Sequence, residues 1–216
     1  MKKTVLAGSL SGALFLLASG GDVQSQTAEK NAFDIGVEAV RAGEIYKAFE
    51  SFEPLALAGD HRAQFNLATL LKSGRGKPQN YTEALKWATL ARIGGITRAL
   101  QLSETLAEFV PEGDQDAIWD DVEAQLLRFL DEGDRNVILQ YALFNLEILP
   151  EPNLETALKW QLIGAALNIE GAAEARDETA SELDQDVILE VQKETTTLFQ
   201  TDDLATRFAL QPASDP

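Results

Sequence analysis

The sequence predicts an all-α fold: a superhelical solenoid of stacked antiparallel helix pairs. Three observations predict it. Apolar residues recur at helical spacing over nearly the whole chain from residue 32 to 210. Glycine or proline closes these stretches as far as Gly171. The pattern then restarts: Gly59-Asp60-His61 is matched by Gly133-Asp134-Arg135, 74 positions on, and Ala84-Leu85-Lys86-Trp87 returns as Ala157-Leu158-Lys159-Trp160, 73 on. Repeats of this length mean stacked helical units, none of which buries enough apolar surface alone.

At the N-terminus, Lys2 and Lys3 precede an uncharged stretch of apolar and small residues, Val5–Ser19. A basic start, a short apolar run and small residues after it are the pattern of a secretory signal peptide. Residues 1–25 are assigned to it, and cleavage fits after Gly20 or after Ser25. The run is too short and glycine-rich for a membrane span, which needs about 20 residues. A bacterial export signal of this kind places the protein in the periplasm or outside the cell, with no stable membrane insertion once the signal is removed. Gly21 stands where a lipoprotein would need cysteine, and the chain has no cysteine at all. Disulfides, thiol catalysis and cysteine–zinc sites are therefore excluded.

Residues 26–31 are polar and read as a flexible leader. Phe33, Gly36, Val37 and Val40 then mark one helix and Ile45, Ala48, Phe49, Phe52 and Leu55 a second, with Gly43 and Gly59 as their stops. Asp60 is placed to cap the next helix, whose stripe is Ala63, Leu67, Leu70 and Leu71. Gly74 and Gly76 break it by supplying backbone angles that side chains disfavour. After Pro78, the residues Tyr81, Ala84, Leu85, Trp87, Ala88 and Ala91 mark a helix ended by Gly94-Gly95. Ala99, Leu102, Leu106 and Phe109 mark another. Asp114 then caps a helix bearing Ile118, Val122, Leu126, Phe129 and Leu130. The second copy follows the same order, with a four-helix unit read as two pairs. Phe144-Asn145-Leu146 also echoes Phe65-Asn66-Leu67, but at 79, out of register with the other matches. Leu204, Ala205 and Phe208 suggest a short capping helix, and residues 211–216 a disordered tail.

The stretch Asp60–Gly95 resembles the SEL-1-like repeat family, which is related to tetratricopeptide repeats. The resemblance is carried by Gly59-Asp60, Ala63, Leu67, the Gly74-Arg75-Gly76 loop, Pro78, Tyr81, Ala84, Trp87, Ala91 and Gly94-Gly95. Ala68, Leu71 and Lys77 depart from the usual glycine, aromatic and valine. In the second copy, Ile148 and Pro150 replace the loop glycines, so that connection should differ in shape. The resemblance implies an adaptor or scaffold that binds other proteins, with some exported bacterial members linked to cell-wall components.

The net charge is −17. Nucleic-acid binding needs a basic footprint and is not expected. Excess acid favours partners with basic surface. No enzyme signature is present. Gly74-Arg75-Gly76-Lys77 lacks the P-loop spacing. His61 is the sole histidine, so it has no histidine partners for a metal site, and it is expected at the surface as no catalyst. The acidic cluster Asp114, Asp116, Asp120 and Asp121 suits a helix N-terminus and lacks the glycine-spaced calcium loop. Trp87 and Trp160 read as equivalent core residues. No cofactor and no metal is expected. The leading expectation is an exported, non-enzymatic interaction module that binds through its concave face, with Arg62, Phe65 and Thr69 as the partner-binding residues opposite the Ala63/Leu67 stripe. The alternative is a protein that binds or hydrolyses peptidoglycan.

Overall fold

The computed structural model describes the backbone of residues 21–209 and the side chains of residues 32–208. Residues 1–20 of the expected signal peptide (1–25) and the expected tail over 211–216 lie outside the described residues. Among those described there is no strand. Eleven helices follow in order: α1 (Gly21–Ala42), α2 (Ile45–Leu57), α3 (His61–Ser73), α4 (Tyr81–Ile93), α5 (Thr97–Ala107), α6 (Glu112–Asp131), α7 (Val137–Glu147), α8 (Leu154–Ala166), α9 (Ala172–Ala180), α10 (Gln185–Thr201) and α11 (Leu204–Ala209). Helix α1 starts at Gly21, so segment 26–31, read as a leader, is helical.

The sequence signals act locally as their chemistry requires. Asp60 accepts hydrogen bonds from the backbone N–H groups of Arg62 and Ala63 at 2.9 and 3.0 Å, satisfying two free donors of the first turn of α3. Asn80 does the same for Glu83 on α4, and Asn153, 73 positions later, for Thr156 on α8. Gly74 and Gly76 both hold positive φ, +65° and +83°, and turn the chain between α3 and α4. Asp114 does not cap α6. The helix begins at Glu112 behind Pro111, which leaves Asp114 inside the first turn, where its charge still suits the helix dipole.

The 74-residue register is visible in burial. On α3 the buried positions are Ala63, Gln64, Leu67, Ala68, Leu70 and Leu71. On α7 they are Val137, Ile138, Tyr141, Ala142, Phe144 and Asn145, each 74 further on. The echo at 79 fails this comparison, because Phe65 is half-buried whereas Phe144 is wholly buried.

Packing follows the same repeat but refines the pairing. Helices α1 with α2, α3 with α4, and α7 with α8 form antiparallel pairs. The third and fourth helices of each copy do not pair with each other. Instead α5 and α6 both pack on α4, and α9 and α10 both pack on α8. Gln115, near the start of α6, closes the end of α5 by donating to the carbonyls of Ala107 and Val110 at 3.2 and 2.8 Å. Each copy is thus three helices gathered around a central one.

The central position of α4 explains its composition. It contacts α3, α5, α6 and α7, and eight of its residues are buried: Ala84, Leu85, Trp87, Ala88, Thr89, Leu90, Ala91 and Ile93. A helix with this many neighbours keeps few polar positions, here Thr82, Glu83, Lys86 and Arg92, and its small residues let four neighbours approach closely. Trp87 is 3% exposed. Trp160, expected to be its equivalent in the core, is only half-buried, with Tyr141 edge-on at 5.7 Å.

His61 is not a surface residue. Its ring is half-buried and spans the two copies. Gln64, 1% exposed, donates from Nε2 to the Ala56 carbonyl at 3.1 Å, which turns its Oε1 toward His61 Nδ1 at 2.9 Å. Nδ1 therefore carries the proton, and Nε2 accepts from Gln140 Nε2 on α7 at 3.1 Å. The ring lies against Gly94, where any side chain would run into it.

Two substitutions test this packing in urea denaturation. Trp87→Ala is expected to cost about 3–5 kcal/mol, and Trp160→Ala less than half as much. Gly94→Ala displaces the His61 ring and is expected to cost about 1–3 kcal/mol. Equal costs for the two tryptophans would contradict the central position of α4.

Candidate interaction surface

Arg62, Phe65, Asn66, Thr69 and Lys72 fall at i, i+3, i+4, i+7 and i+10 on α3, so they share one face. It is opposite the stripe that enters the core. All three residues expected from the sequence, Arg62, Phe65 and Thr69, lie on it. Arg62 and Thr69 are exposed and Phe65 is half-buried.

Two arginine–aromatic contacts order this face. The Arg62 guanidinium lies 4.4 Å from the centroid of Phe33 on α1, and its Nη2 bonds Asp60 Oδ2 at 3.0 Å. The Arg98 guanidinium of α5 lies 4.9 Å from the centroid of Phe65. Each arginine is the second residue of its helix. A cation there opposes the helix dipole, and the facing ring offsets that cost by attracting it. The result is a line of alternating aromatic and guanidinium groups across α1, α3 and α5. Arg98 was not singled out by sequence reasoning. Its matching place at the second position of a helix was the available signal. The Thr69 hydroxyl donates to the Phe65 carbonyl at 2.9 Å, so it is held against its own helix.

Charge is segregated along the chain. Residues 60–95 hold six Lys and Arg against two Asp and Glu, within a chain of net charge −17. Three of those cations are used in cross-helix ion pairs: Lys77 with Glu53 at 2.9 Å, Lys86 with Asp121 at 3.6 Å and Arg92 with Glu147 at 3.0 Å. Lys77 also lies 4.6 Å from the Phe49 centroid, which accounts for a lysine where the resemblance leads one to expect valine. The Gly-Arg-Gly loop packs on α2, with Gly76 against Ile45. Lys72, Arg75 and Arg98 have no carboxylate partner among the described residues. The outward face of α3 and its edge are therefore basic and aromatic, and α3 carries no acid.

Two titrating groups elsewhere report on the seams. Burial raises the Tyr141 phenol well above its ordinary value, and its hydrogen bond to Glu123 Oε1, 2.6 Å, raises it further. The hydrogen bond from Lys159, and then its charge, lower Glu194, tying α8 to α10 at 2.8 Å. Among the described residues no three His, Cys, Asp or Glu side chains converge as a metal site, and no helix is long and apolar enough to cross a membrane.

No protein-family model and no curated protein matches the chain. Among solved structures it is similar to a protective antigen present in uropathogenic Escherichia coli strains and displaying an SLR fold. The identity is 15% and the TM-score 0.36, over 89% of this chain and 50% of that one. The chain spans half the length of that protein. The solenoid architecture of the present chain stands on its own helix packing.

The Tyr141 phenol yields a pH test. Its folded pKa is raised, so its contribution is complete below the unfolded value near 10 and is lost as pH rises toward the folded one. Denaturation between about pH 9 and 11 should show stability falling with pH, and the fall should be shallower in Tyr141→Phe. That variant also loses the bond to Glu123, about 1–3 kcal/mol at neutral pH. An unchanged pH slope would contradict the assignment.

Proposed function

We propose that this chain is an exported adaptor or scaffold that binds a protein partner through the outward face of α3, without catalysing a reaction. The observation that carries the reading is the Arg62–Phe65–Arg98 line. It is basic and aromatic, held in place by neighbouring rings, and set in a chain whose charge is otherwise strongly acidic. Arginine and aromatic side chains dominate binding at interfaces, because they give large contact area and directed polar contacts with little loss of freedom. Ordering them beforehand lowers the entropic cost of binding. An acidic or amphipathic segment of a partner fits this face. The expected preference for basic partner surface then belongs to other parts of the molecule. Export rests on Lys2, Lys3 and the apolar run that follows.

Affinity capture from a bacterial envelope extract tests the proposal, with the wild-type chain compared against an Arg62→Glu/Arg98→Glu double variant. The expected result is a specific protein retained by the wild type and lost by at least about tenfold in the variant, with matching circular dichroism. Equal retention by both, or turnover of a peptidoglycan substrate by the purified chain, would overturn it and favour the cell-wall reading.

A further inference from the structure

The second copy acts as an internal control on the α3 face. The buried stripe of α3 returns on α7, 74 positions on. The cations do not return. Arg62 is matched by Asn136, Lys72 by Leu146, Arg75 by Leu149 and Arg98 by Ala172. Helix α7 forms and pairs with α8 without them, so the stacked architecture does not require this charge. Nor does the charge neutralise local acid. Lys72, Arg75 and Arg98 have no carboxylate partner among the described residues.

The cations form two stations. Arg62 and Arg98 stand at the start of α3, each with one flat side toward a phenylalanine ring, which leaves the N–H edge of the guanidinium to meet a carboxylate. Lys72 stands in the last turn of α3, with Arg75 just past the helix end. Ten residues of helix separate Arg62 from Lys72, about 15 Å along the axis. Between the stations lies Asn66, half-buried, whose amide has no hydrogen-bond partner among the described residues. It offers both donors and an acceptor. The acids of the adjoining helix, Glu104 and Glu108, lie about 120° and about 80° around α5 from Arg98 at the helical 3.6 residues per turn.

We infer that this face takes an extended segment of a partner protein carrying acidic side chains at i and i+4. The inference rests on the protein-binding reading above and names the segment that reading leaves open. An extended chain rises about 3.3 Å per residue and turns i, i+2 and i+4 to one side, so two acids at i and i+4 stand about 13 Å apart. Each meets one station, and long lysine and arginine side chains take up the small difference. On a helix the same two acids are about 6 Å apart and reach a single station. An extended backbone also brings unpaired peptide groups to the Asn66 amide, whereas a helix has already paired its own. The segment is short, because the chain beyond this face is acidic, with net charge −17 overall, and repels a polyanion that runs past the two stations.

The test uses the full chain at low ionic strength and a fluorescein-labelled peptide of about seven residues, with two aspartates at i and i+4 and β-branched spacers that favour extended backbone. An isomer of the same composition carries the aspartates side by side. The expected result is a saturable anisotropy rise with the spaced peptide and binding at least about fivefold weaker for the isomer. Lys72→Gln and Arg98→Gln should each cause a similar loss, and Asn66→Ala a loss of about threefold. Lys193→Gln, on α10, should bind unchanged, and circular dichroism checks that the variants fold. Replacing either aspartate of the peptide by asparagine should abolish the effect of Lys72→Gln, since the two then share no contact. Equal binding of the two isomers, or the same loss in Lys72→Gln with the one-acid peptide, would overturn the inference. So would tighter binding of a helical peptide with acids ten residues apart, or of a polyphosphate of equal charge. These results leave the α3 adaptor reading to its own test, capture through Arg62 and Arg98. No binding of any acidic peptide, together with equal capture by the Arg62→Glu/Arg98→Glu variant, would end both.

Discussion

The fold depends on one helix, α4, that packs against four others and buries eight of its thirteen residues. Helix α4 can take four neighbours only because Ala84, Ala88 and Ala91 give it narrow flanks and Trp87 and Leu85 fill the space between them. Only Thr82, Glu83, Lys86 and Arg92 form a polar strip on it, so α4 in an isolated hairpin would leave most of its apolar surface in water. It requires α5 and α6 from its own copy and α7 from the next. The same demand appears at α8, met by α7, α9 and α10. Cooperativity between copies follows from this geometry, because α7 belongs to the second copy and completes the first.

Much of this was legible in the sequence, and the exceptions have physical causes. The repeat was readable because caps, loop glycines and the tryptophan occupy places that packing makes unforgiving. Asp60, Gly74, Gly76 and Trp87 are such places. The partnership of α5 with α4 rather than α6 was not readable, since helical periodicity reports which residues are buried and not against what. Trp160 repeats Trp87 in sequence but not in burial, because its surroundings change at the end of the array. His61 looked superficial beside Asp60 and Arg62, yet Gln140 reaches it from 79 residues away. Such a contact leaves no local trace. Arg62, Phe65 and Thr69 were correctly grouped on one face, as spacing alone determines that. Arg98 required knowledge of which helix lies alongside.

Charge is distributed by structural role. The central pair α3–α4 is basic and its neighbours α2, α6 and α7 supply the carboxylates that meet Lys77, Lys86 and Arg92. In the second copy, Lys159 meets Glu194 at the corresponding place between the second and fourth helices. These exposed pairs contribute little stability singly. Among the described residues, Lys72, Arg75 and Arg98 around α3 have no carboxylate partner, whereas on α9 and α10 only Asp177 and Glu194 have a cationic one.

Native-state hydrogen exchange tests the central claim most directly, since it reads the opening free energy of each helix separately. If α4 and α8 are the buried centres of two repeating units, their amides exchange slowest, those of α4 and α7 share one opening event, and those of α9 and α11 exchange fastest. Uniform protection across α3–α10, or greatest protection in the α1–α2 pair, would contradict the account.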